Sequence, residues 1–449
     1  MEKTKLNPSW NINSWKDFEI AQQPIWPNTV AYNEIIKKIS TYPSLIVIDE
    51  IRQLKKRLQK VADGKAFLLQ GGDCAETFKE FSEENIKNKL KIFFQMSTII
   101  SHGSSMDIIK IGRIAGQYAK PRTSHLETRG GKTLPSYMGD SINDIKFNLN
   151  SRTPNPKRLL KAYNQSIATL NLLQPLIKSE FKNLNHFWNA NSFNKTMIYK
   201  RFSKTIDRIN QSLKFFNVLN KDINLFSQKR FNEFYVSHEC LILDYETALT
   251  KNNENNQYYN SSSHMLWLGD RTRNINSAHV EYLSGIENPI GIKCGPDVSL
   301  DDLRAIIHKI NPTNEKGKII LICRFGANKI EGKLPKLINM ITKNHFNVIW
   351  CCDPMHGNTY TSNNNYKTRS FQSIIKELKL FFEIHKQTKT IPGGVHFELT
   401  GEHVTECLGG INNIKDVDLD LKYETTCDPR LNNEQSLETA FLISELIQR

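Results

Sequence analysis

The sequence predicts an α/β protein built on a closed (β/α)8 TIM barrel, with an N-terminal extension and a helical insertion between the second and third strands. Eight short apolar segments have the composition of buried parallel strands. Helical patterns separate most of these segments, and polar, ionisable residues follow nearly all of them. We therefore expect residues 1–449 to form a single catalytic barrel domain.

The predicted strands are runs of β-branched, aromatic and other apolar residues that end in polar or glycine-rich sequence. In order they are KAFLLQ (65–70), MDIIKIG (106–112), CLILDYE (240–246), MLWLGD (265–270), PIGIKCG (289–295), KIILICRFG (318–326), NVIWCCD (347–353) and VHFELT (395–400). Helical patterns follow the fifth, sixth and seventh strands, in DDLRAIIHKI, LPKLINMITKN and FQSIIKELKLFFEIHK.

Two regions do not fit the strand–helix repeat. Residues 1–64 form the predicted extension, with a helix in SLIVIDEIRQLKKRLQKVA, and residues 150–235 form the insertion. Apolar residues recur at helical spacing within the insertion, which predicts a helix that packs on the barrel. A subunit interface or an effector site is the alternative. The residues of this seam are Phe202, Ile206, Ile209, Leu213 and Phe216.

The composition indicates in which cellular compartment the protein lies and which kinds of partner it binds. The N-terminus has no apolar segment of the secretory type, no stretch has the length of a membrane span, and eight cysteines are irregularly spaced, so we expect a cytoplasmic protein with free thiols. The net charge of +14 comes from scattered lysines rather than a dense arginine stripe. We therefore expect no nucleic-acid partner, whereas anionic small substrates suit a basic protein.

Ionisable residues follow seven of the eight predicted strands, at the end where barrel active sites lie. Six of them are cations, and such a cluster without an equal number of nearby acids predicts one or two phosphorylated substrates. A single arginine would more often form a surface ion pair. The cations are Arg113, Lys120, Arg122, Arg271, Lys293 and Arg324.

A second group combines a thiol, an imidazole and two carboxylates: Cys74, His356, Glu398 and Asp428. Such donors form a plausible mixed shell for a divalent transition metal, whereas the paired spacing of a structural zinc site is missing. Each residue alone also has an ordinary structural explanation, since cysteine often serves as a small buried side chain. Adjacent Cys351 and Cys352 lie within one strand and should point to opposite faces.

These motifs resemble the class II (plant-type) 3-deoxy-D-arabino-heptulosonate-7-phosphate (DAHP) synthases over nearly the whole chain. The resemblance lies in FLLQGGDCAETF, KIGRIAGQYAKPR, SHECLILDYE, MLWLGDRTR, NPIGIKCGP, LICRFGANKI, CDPMHGNTY, GGVHFELTGEHVTECLGG and CDPRLN. It implies a transferase that condenses phosphoenolpyruvate (PEP) with erythrose 4-phosphate and water, giving DAHP and phosphate. That reaction opens the shikimate pathway to chorismate and the aromatic amino acids.

The resemblance also implies residue roles. Cys74, His356, Glu398 and Asp428 would hold the metal, with Mn²⁺ typical of the family and Co²⁺ possible. The catalytic residues would be Lys293, which would take part in proton transfer, and the metal-binding Cys74 and His356. Family members are homo-oligomers, as dimers or tetramers, and some bind chorismate mutase. PEP would contact Arg113, Trp267, Asp270, Arg271, Lys293 and Arg324; the phosphate of erythrose 4-phosphate would contact Lys120, Arg122 and Thr123.

Some positions depart from the family pattern, and two other functions compete. Asp270 stands where the family generally has Glu, Thr123 replaces Ser, and Met138 replaces a common Arg. A metal-dependent aldolase-type lyase on the same barrel would need the ion but not six clustered cations. A non-catalytic scaffold derived from the synthase predicts broken metal ligands, yet all four are intact in the sequence.

Overall fold

Eight parallel strands close into a barrel in the computed structural model of the chain, which describes residues 10–179, 196–219 and 233–448. Each strand pairs with its neighbours in sequence, and the last pairs with the first. The predicted fold class is confirmed. The strands are β1 (Ala66–Gly72), β2 (Asp107–Arg113), β3 (Tyr235–Glu239), β4 (Met265–Leu268), β5 (Ile290–Cys294), β6 (Ile319–Cys323), β7 (Val348–Cys352) and β8 (Gly394–Glu398).

Helices flank the barrel, and the three predicted after the fifth, sixth and seventh strands are confirmed as α8, α9 and α10. Among the described residues, no helix is both long and apolar enough to cross a membrane. The helices are α1 (Thr29–Ser40), α2 (Ile48–Ala62), α3 (Glu83–Ser104), α4 (Lys157–Ser179), α5 (Met197–Leu219), α6 (Leu243–Ala248), α7 (Ala278–Ser284), α8 (Leu300–Ile310), α9 (Ile330–Lys343), α10 (Phe371–Gln387) and α11 (Asn433–Gln448).

Strand residues alternate between the barrel interior and the layer beneath the helices. Within β6, Ile320 and Ile322 belong to the interior cluster, whereas Leu321 packs with the helices. In β7, Cys351 points inward and Cys352 outward, as the sequence predicted. Helix α2 contributes its apolar face to the interior cluster and closes the N-terminal end of the barrel. The C-terminal end is thereby left for the loops that carry chemistry.

The predicted third strand, CLILDYE, is wrong by several residues. The strand is β3, which begins at Tyr235, and Leu243 already starts α6. Polar residues inside β3 hid it: Ser237 accepts a hydrogen bond from Gln70 inside the barrel (2.9 Å), and His238 lies 2.9 Å from Glu246 outside it. Other segments supply both partners, so the hydroxyl of Ser237 and one ring nitrogen of His238 are hydrogen-bonded within the buried strand.

The segment between β2 and β3 contains a hairpin (Leu126–Arg129 with Lys132–Pro135), a single helical turn (Leu149–Arg152) and helices α4 and α5. The predicted apolar seam lies on α5. Ile206 and Ile209 are fully buried, and Phe202 stacks on Phe441 of α11 with ring centroids 4.2 Å apart. The seam therefore packs on the outer layer of helices. The side chain of Phe216 lies outside the described residues.

Candidate active site

A cleft of about 750 Å³ opens at the C-terminal end of the barrel. Its walls come from the C-terminal parts of β2, β3, β4 and β5, from the loops that follow β1, β2, β4, β6 and β7, and from the segment after β8, as expected for a barrel active site. Glu398 lies at the end of β8, beside His356. Arg122 and Thr123 do not line the cleft. The predicted site residues that line the cleft are Cys74, Arg113, Lys120, Trp267, Asp270, Arg271, Lys293, Arg324, His356 and Asp428.

The four predicted metal ligands lie together. Donor atoms of Cys74, Glu398 and Asp428 are all within 4.8 Å of one another, and Nε2 of His356 is 3.0 Å from Oε1 of Glu398. Strand pairing explains part of this arrangement, because Gly72 at the end of β1 pairs with Glu398 at the end of β8. A buried thiol and two buried carboxylates, with the partly exposed imidazole of His356 beside them, fit a divalent transition metal.

Basic side chains neutralise the two carboxylates of this cluster. Lys120 places its ammonium 2.8 Å from both Cys74 Sγ and Asp428 Oδ2, and Arg369 lies 2.6 Å from Glu398 Oε2. Burial opposes ionisation, but Lys120 and Arg369 hold the pKa of Asp428 well below its usual value. Burial likewise opposes ionisation of Glu398, whose pKa His356 and Arg369 nevertheless lower well below the usual range. Both carboxylates are therefore ready-made anionic ligands.

The thiol behaves differently from the carboxylates. Burial and a hydrogen bond with Cys427 raise the pKa of Cys74 well above its usual value, although Lys120 opposes that shift. Coordination to a cation removes the proton of a thiol. Burial therefore disfavours the thiolate of Cys74, which a bound cation would stabilise.

Asp353 orients His356, and the sequence analysis missed it. Its Oδ2 atom lies 2.7 Å from Nδ1 of His356 and 2.6 Å from Nζ of Lys293. Burial opposes ionisation of Asp353, but His356 and Lys293 lower its pKa well below the usual value. The carboxylate fixes the imidazole with Nε2 toward Glu398, which is the usual support for a metal-binding histidine. Its position directly after β7, in CDPMHGN, was the available signal.

Four of the six predicted cations lie within ion-pair distance of an acid. Lys120 contacts Asp428, Lys293 contacts Asp353, and Arg324 contacts Asp270 at 2.8 Å. Buried cations need such partners because desolvation of an isolated charge is costly. Most of the predicted cations are therefore members of ion pairs rather than of a purely positive cluster.

Two arginines keep unused hydrogen-bonding capacity. Among the described residues, the buried Nε atoms of Arg113 and Arg324 have no hydrogen-bond partner. Arg113 also lies 5.2 Å from the ring of Trp267 and donates to the carbonyl of Cys74 (2.9 Å). Arg271 is exposed and donates to Thr123. These groups face or border the cleft and suit an anionic ligand.

The residues predicted for the second phosphate are not gathered at one point. Lys120 turns toward the metal ligands, whereas the backbone N–H of Arg122 donates to Gln22 of the N-terminal extension (2.7 Å). Thr123 accepts from Arg271 (3.0 Å) and is exposed at the rim. Met138 accepts the backbone N–H of Lys120 (2.9 Å) through its carbonyl, and its side chain is buried in an apolar cluster.

A buried ion pair ties together the segments that carry two ligands. Asp73, immediately before Cys74, lies 2.8 Å from the guanidinium of Arg430, two residues after Asp428. Arg430 also binds Glu406 through two of its nitrogens. The network fixes the loop after β1 against the chain after β8. Sequence could not show it, because these residues are hundreds of positions apart.

Comparison with known proteins identifies the family to which the chain belongs. Residues 10–444 match the model of the class-II DAHP synthetase family. A relative from Streptomyces coelicolor, named phospho-2-dehydro-3-deoxyheptonate aldolase, is 44% identical over 445 residues, covering 98% of both chains. A Neurospora crassa protein of the same name is 41% identical over 463 residues, covering 99% of this chain and 95% of its own. The chain therefore belongs to the class-II DAHP synthetase family, as its motifs predicted.

Proposed function

We propose that the cleft carries out the DAHP synthase reaction, the first step of the shikimate pathway: PEP condenses with erythrose 4-phosphate and water to give DAHP and phosphate. Family membership supports the reaction, and the structure supports its location. The single observation that carries the assignment is a cluster of three metal-type donors, Cys74, Glu398 and Asp428, with His356 beside it, at a cleft lined by arginines, lysines and acids. An aldolase-type lyase would not require the cationic half of that arrangement.

The donors Cys74, His356, Glu398 and Asp428 would hold one divalent ion, for which we propose Mn²⁺, with Co²⁺ suited to the same set. Bound there, the ion would supply Lewis-acid polarisation of an aldehyde oxygen. The protein's own part is to keep the donors together. Asp353 sets the ring of His356, and the nearby cations keep both carboxylates ionised.

PEP would bind in the cleft against the buried Arg113 and Lys293, with Arg324, Arg271, Trp267 and Asp270 around it. The ring of Trp267 holds Arg113, and Asp270 holds Arg324, so each guanidinium has a fixed plane before the substrate arrives. Fixed cations lower the cost of bringing two polyanions together and orient the reacting carbons. Lys120, Arg122 and Thr123 border the side from which erythrose 4-phosphate would enter.

Lys293 is our proposed proton carrier. It is buried, and this burial lowers its pKa below the ordinary lysine value, although Asp353 opposes the shift. A lysine with a lowered pKa can release and regain a proton more easily near neutral pH. Asp353, which contacts both Lys293 and His356, would take part in keeping that proton at Nζ.

Three broader assignments complete the proposal. We propose a homo-oligomer, a dimer or tetramer, and chorismate mutase as a protein partner, both in line with the family resemblance. We also propose a cytoplasmic location. The described helices contain no candidate membrane span, and all eight cysteines are free thiols, which agrees with a reducing compartment.

The test is an assay for loss of the ultraviolet absorbance of PEP when erythrose 4-phosphate is added, with Mn²⁺ and then with chelator. Cys74→Ala is the variant, and Cys240→Ala is the matched control, since Cys240 is equally buried but lies outside the cleft. We expect consumption that requires erythrose 4-phosphate, metal and Cys74 but tolerates the Cys240 change. A folded protein that consumes no PEP with any divalent ion would favour the lyase or the non-catalytic scaffold.

A further inference from the structure

Glu377 is a buried acid in the apolar face of α10, where its neighbours Ile374 and Leu378 belong to the hydrophobic core. It does not line the cleft, and its side chain is completely buried. Fully buried glutamates are rare unless a specific partner holds them. A residue of this kind inside a core helix therefore calls for an explanation.

The carboxylate of Glu377 binds two loops at once. Its Oε1 atom accepts the backbone N–H groups of Phe325 (3.0 Å) and Gly326 (2.8 Å), in the loop after β6. Its Oε2 atom accepts from the amide of Asn358 (2.6 Å), in the loop after β7. Burial raises the pKa of Glu377 to about 8, with the N–H of Gly326 opposing that shift.

The two loops also touch each other directly. Gly326 has a φ of 83°, and a Cβ atom there would meet the carbonyl oxygen of Gly357 at 2.6 Å. Asn358 extends the contact, since its Oδ1 accepts the N–H of Ala327 (3.0 Å). Arg324 directs NH2 toward the carbonyl of His356 (3.4 Å). The first loop carries Arg324 and the second carries His356.

We infer that Glu377 is a positioning residue that locks Arg324, of the PEP site, and His356, of the metal site, into one fixed relation. The inference rests on the proposed function, because it takes its meaning from the roles assigned to Arg324 and His356. Glu377 acts from behind the cleft, through the backbone of one loop and through Asn358 of the other. It therefore couples substrate binding to metal binding without touching either.

The inference can be tested because Glu377 accepts every hydrogen bond that it makes to the two loops. In Glu377→Gln one oxygen becomes an NH2 group, and every atom that the carboxylate faces is a donor. Asn358 cannot turn to relieve the clash, because its Oδ1 accepts from Ala327 and its Nδ2 also donates to the carbonyl of Pro354 (2.8 Å). Asn358→Asp creates the opposite fault, since it sets a second carboxylate against that of Glu377 and forces the pair to share one proton. The double variant pairs a donor with an acceptor again and leaves only the Pro354 carbonyl unpaired.

The experiment compares wild type, Glu377→Gln, Asn358→Asp and the double variant by isothermal titration calorimetry with Mn²⁺ and then with PEP. All titrations are run well below each melting temperature. We expect each single change to weaken both ligands by about tenfold or more, as one buried unsatisfied group can. The double variant should recover most of both affinities. The control is Glu438→Gln, a buried acid on α11 that pairs with Arg201 away from the cleft.

Each outcome has a distinct meaning. A wild-type protein that binds neither Mn²⁺ nor PEP would overturn the proposed function itself. Normal affinities in the single variants, or a loss for only one ligand, would overturn the coupling role of Glu377. A melting temperature that falls while both affinities stay normal would show a purely structural role. If the single variants do not fold, recovery of folding and binding in the double variant supports the pairing, and no recovery contradicts it.

Discussion

Replacement of Asp353 should weaken metal binding, because this residue orients the predicted ligand His356. Both of its oxygens accept: Oδ2 from Lys293 and the ring of His356, and Oδ1 from the backbone N–H groups of Met355 (3.1 Å) and His356 (3.2 Å). Asn at this position must turn an NH2 group toward donors in either orientation. We expect Asp353→Asn to lower metal affinity by about 10- to 100-fold, the usual effect of losing a ligand's support.

Competition with a fluorescent chelator, using Mn²⁺ as the titrant, would measure this effect, alongside kcat/KM for PEP. Asp63→Asn is the matched control, since Asp63 pairs with Lys316 at the opposite, N-terminal end of the barrel (2.8 Å). It should leave both quantities unchanged. Equal metal affinity in Asp353→Asn and wild type would show that His356 keeps its orientation without the carboxylate.

Comparison of the predicted and observed sites shows which residues sequence can find. Cys74 and Glu398 follow directly from the rule that barrel strands end at the active site. Arg369 could not be found in this way, because it reaches Glu398 from a small antiparallel hairpin, Thr359–Thr361 with Lys367–Arg369, rather than from the end of a barrel strand. The pairing of Lys120, Lys293 and Arg324 with acids was also invisible, because it depends on side-chain contacts between loops.

Among the elements, the mostly apolar strands were predicted correctly from the sequence. The prediction failed for β3, which carries polar residues. β6 is a continuous apolar run, β5 is apolar apart from Gly291 and Lys293, and the positions of both strands are confirmed. β3 was displaced because an apolar run, CLIL, directly follows a strand whose Ser237 and His238 are polar. Periodicity reports where apolar side chains are, whereas the chain forms a strand wherever neighbouring strands offer backbone partners.

The start of β6 supplies a prediction about pH. Lys318 is buried there and donates to the carbonyls of Ile286 and Asn288, the latter at 2.8 Å. Burial, aided by the charge of Lys55, lowers the pKa of Lys318 from 10.5 to about 7. Between those two values the unfolded chain binds the proton and the folded chain does not. This group's contribution to the free energy of unfolding therefore rises with pH above about 7, by at most about 1.4 kcal/mol per pH unit.

Urea unfolding followed by tryptophan fluorescence at about pH 6.5, 7.5 and 8.5 would measure this contribution. The free energy of unfolding of wild type minus that of Lys318→Met should increase with pH over this range. Lys316→Met is the control, because Lys316 is half exposed and lies two residues earlier. A difference that stays flat or falls as pH rises would show that Lys318 remains charged in the folded chain.

Closure of the barrel is what assembles the site from distant parts of the chain. Cys74 and Asp428 are 354 residues apart, yet Sγ lies 3.1 Å from Oδ2. Pairing of β1 with β8 makes this contact possible, since it joins the first strand to the last. The unfolded chain has no such cluster. An ion that binds the four donors therefore binds the folded state alone, and its binding free energy adds to the stability of the complete fold.

Metal removal should accordingly lower the stability of the whole protein. At free Mn²⁺ about a hundred times Kd, the gain is about 2.7 kcal/mol. Differential scanning fluorimetry should show a melting temperature that rises with Mn²⁺ and returns to its metal-free value with chelator. Cys74→Ala should lose most of that rise, whereas Cys240→Ala, a change at another buried thiol, should keep it. A wild-type melting temperature that responds to neither Mn²⁺ nor Co²⁺ would mean that Cys74, His356, Glu398 and Asp428 do not act as one site, because any ion bound by all four must oppose their separation on unfolding.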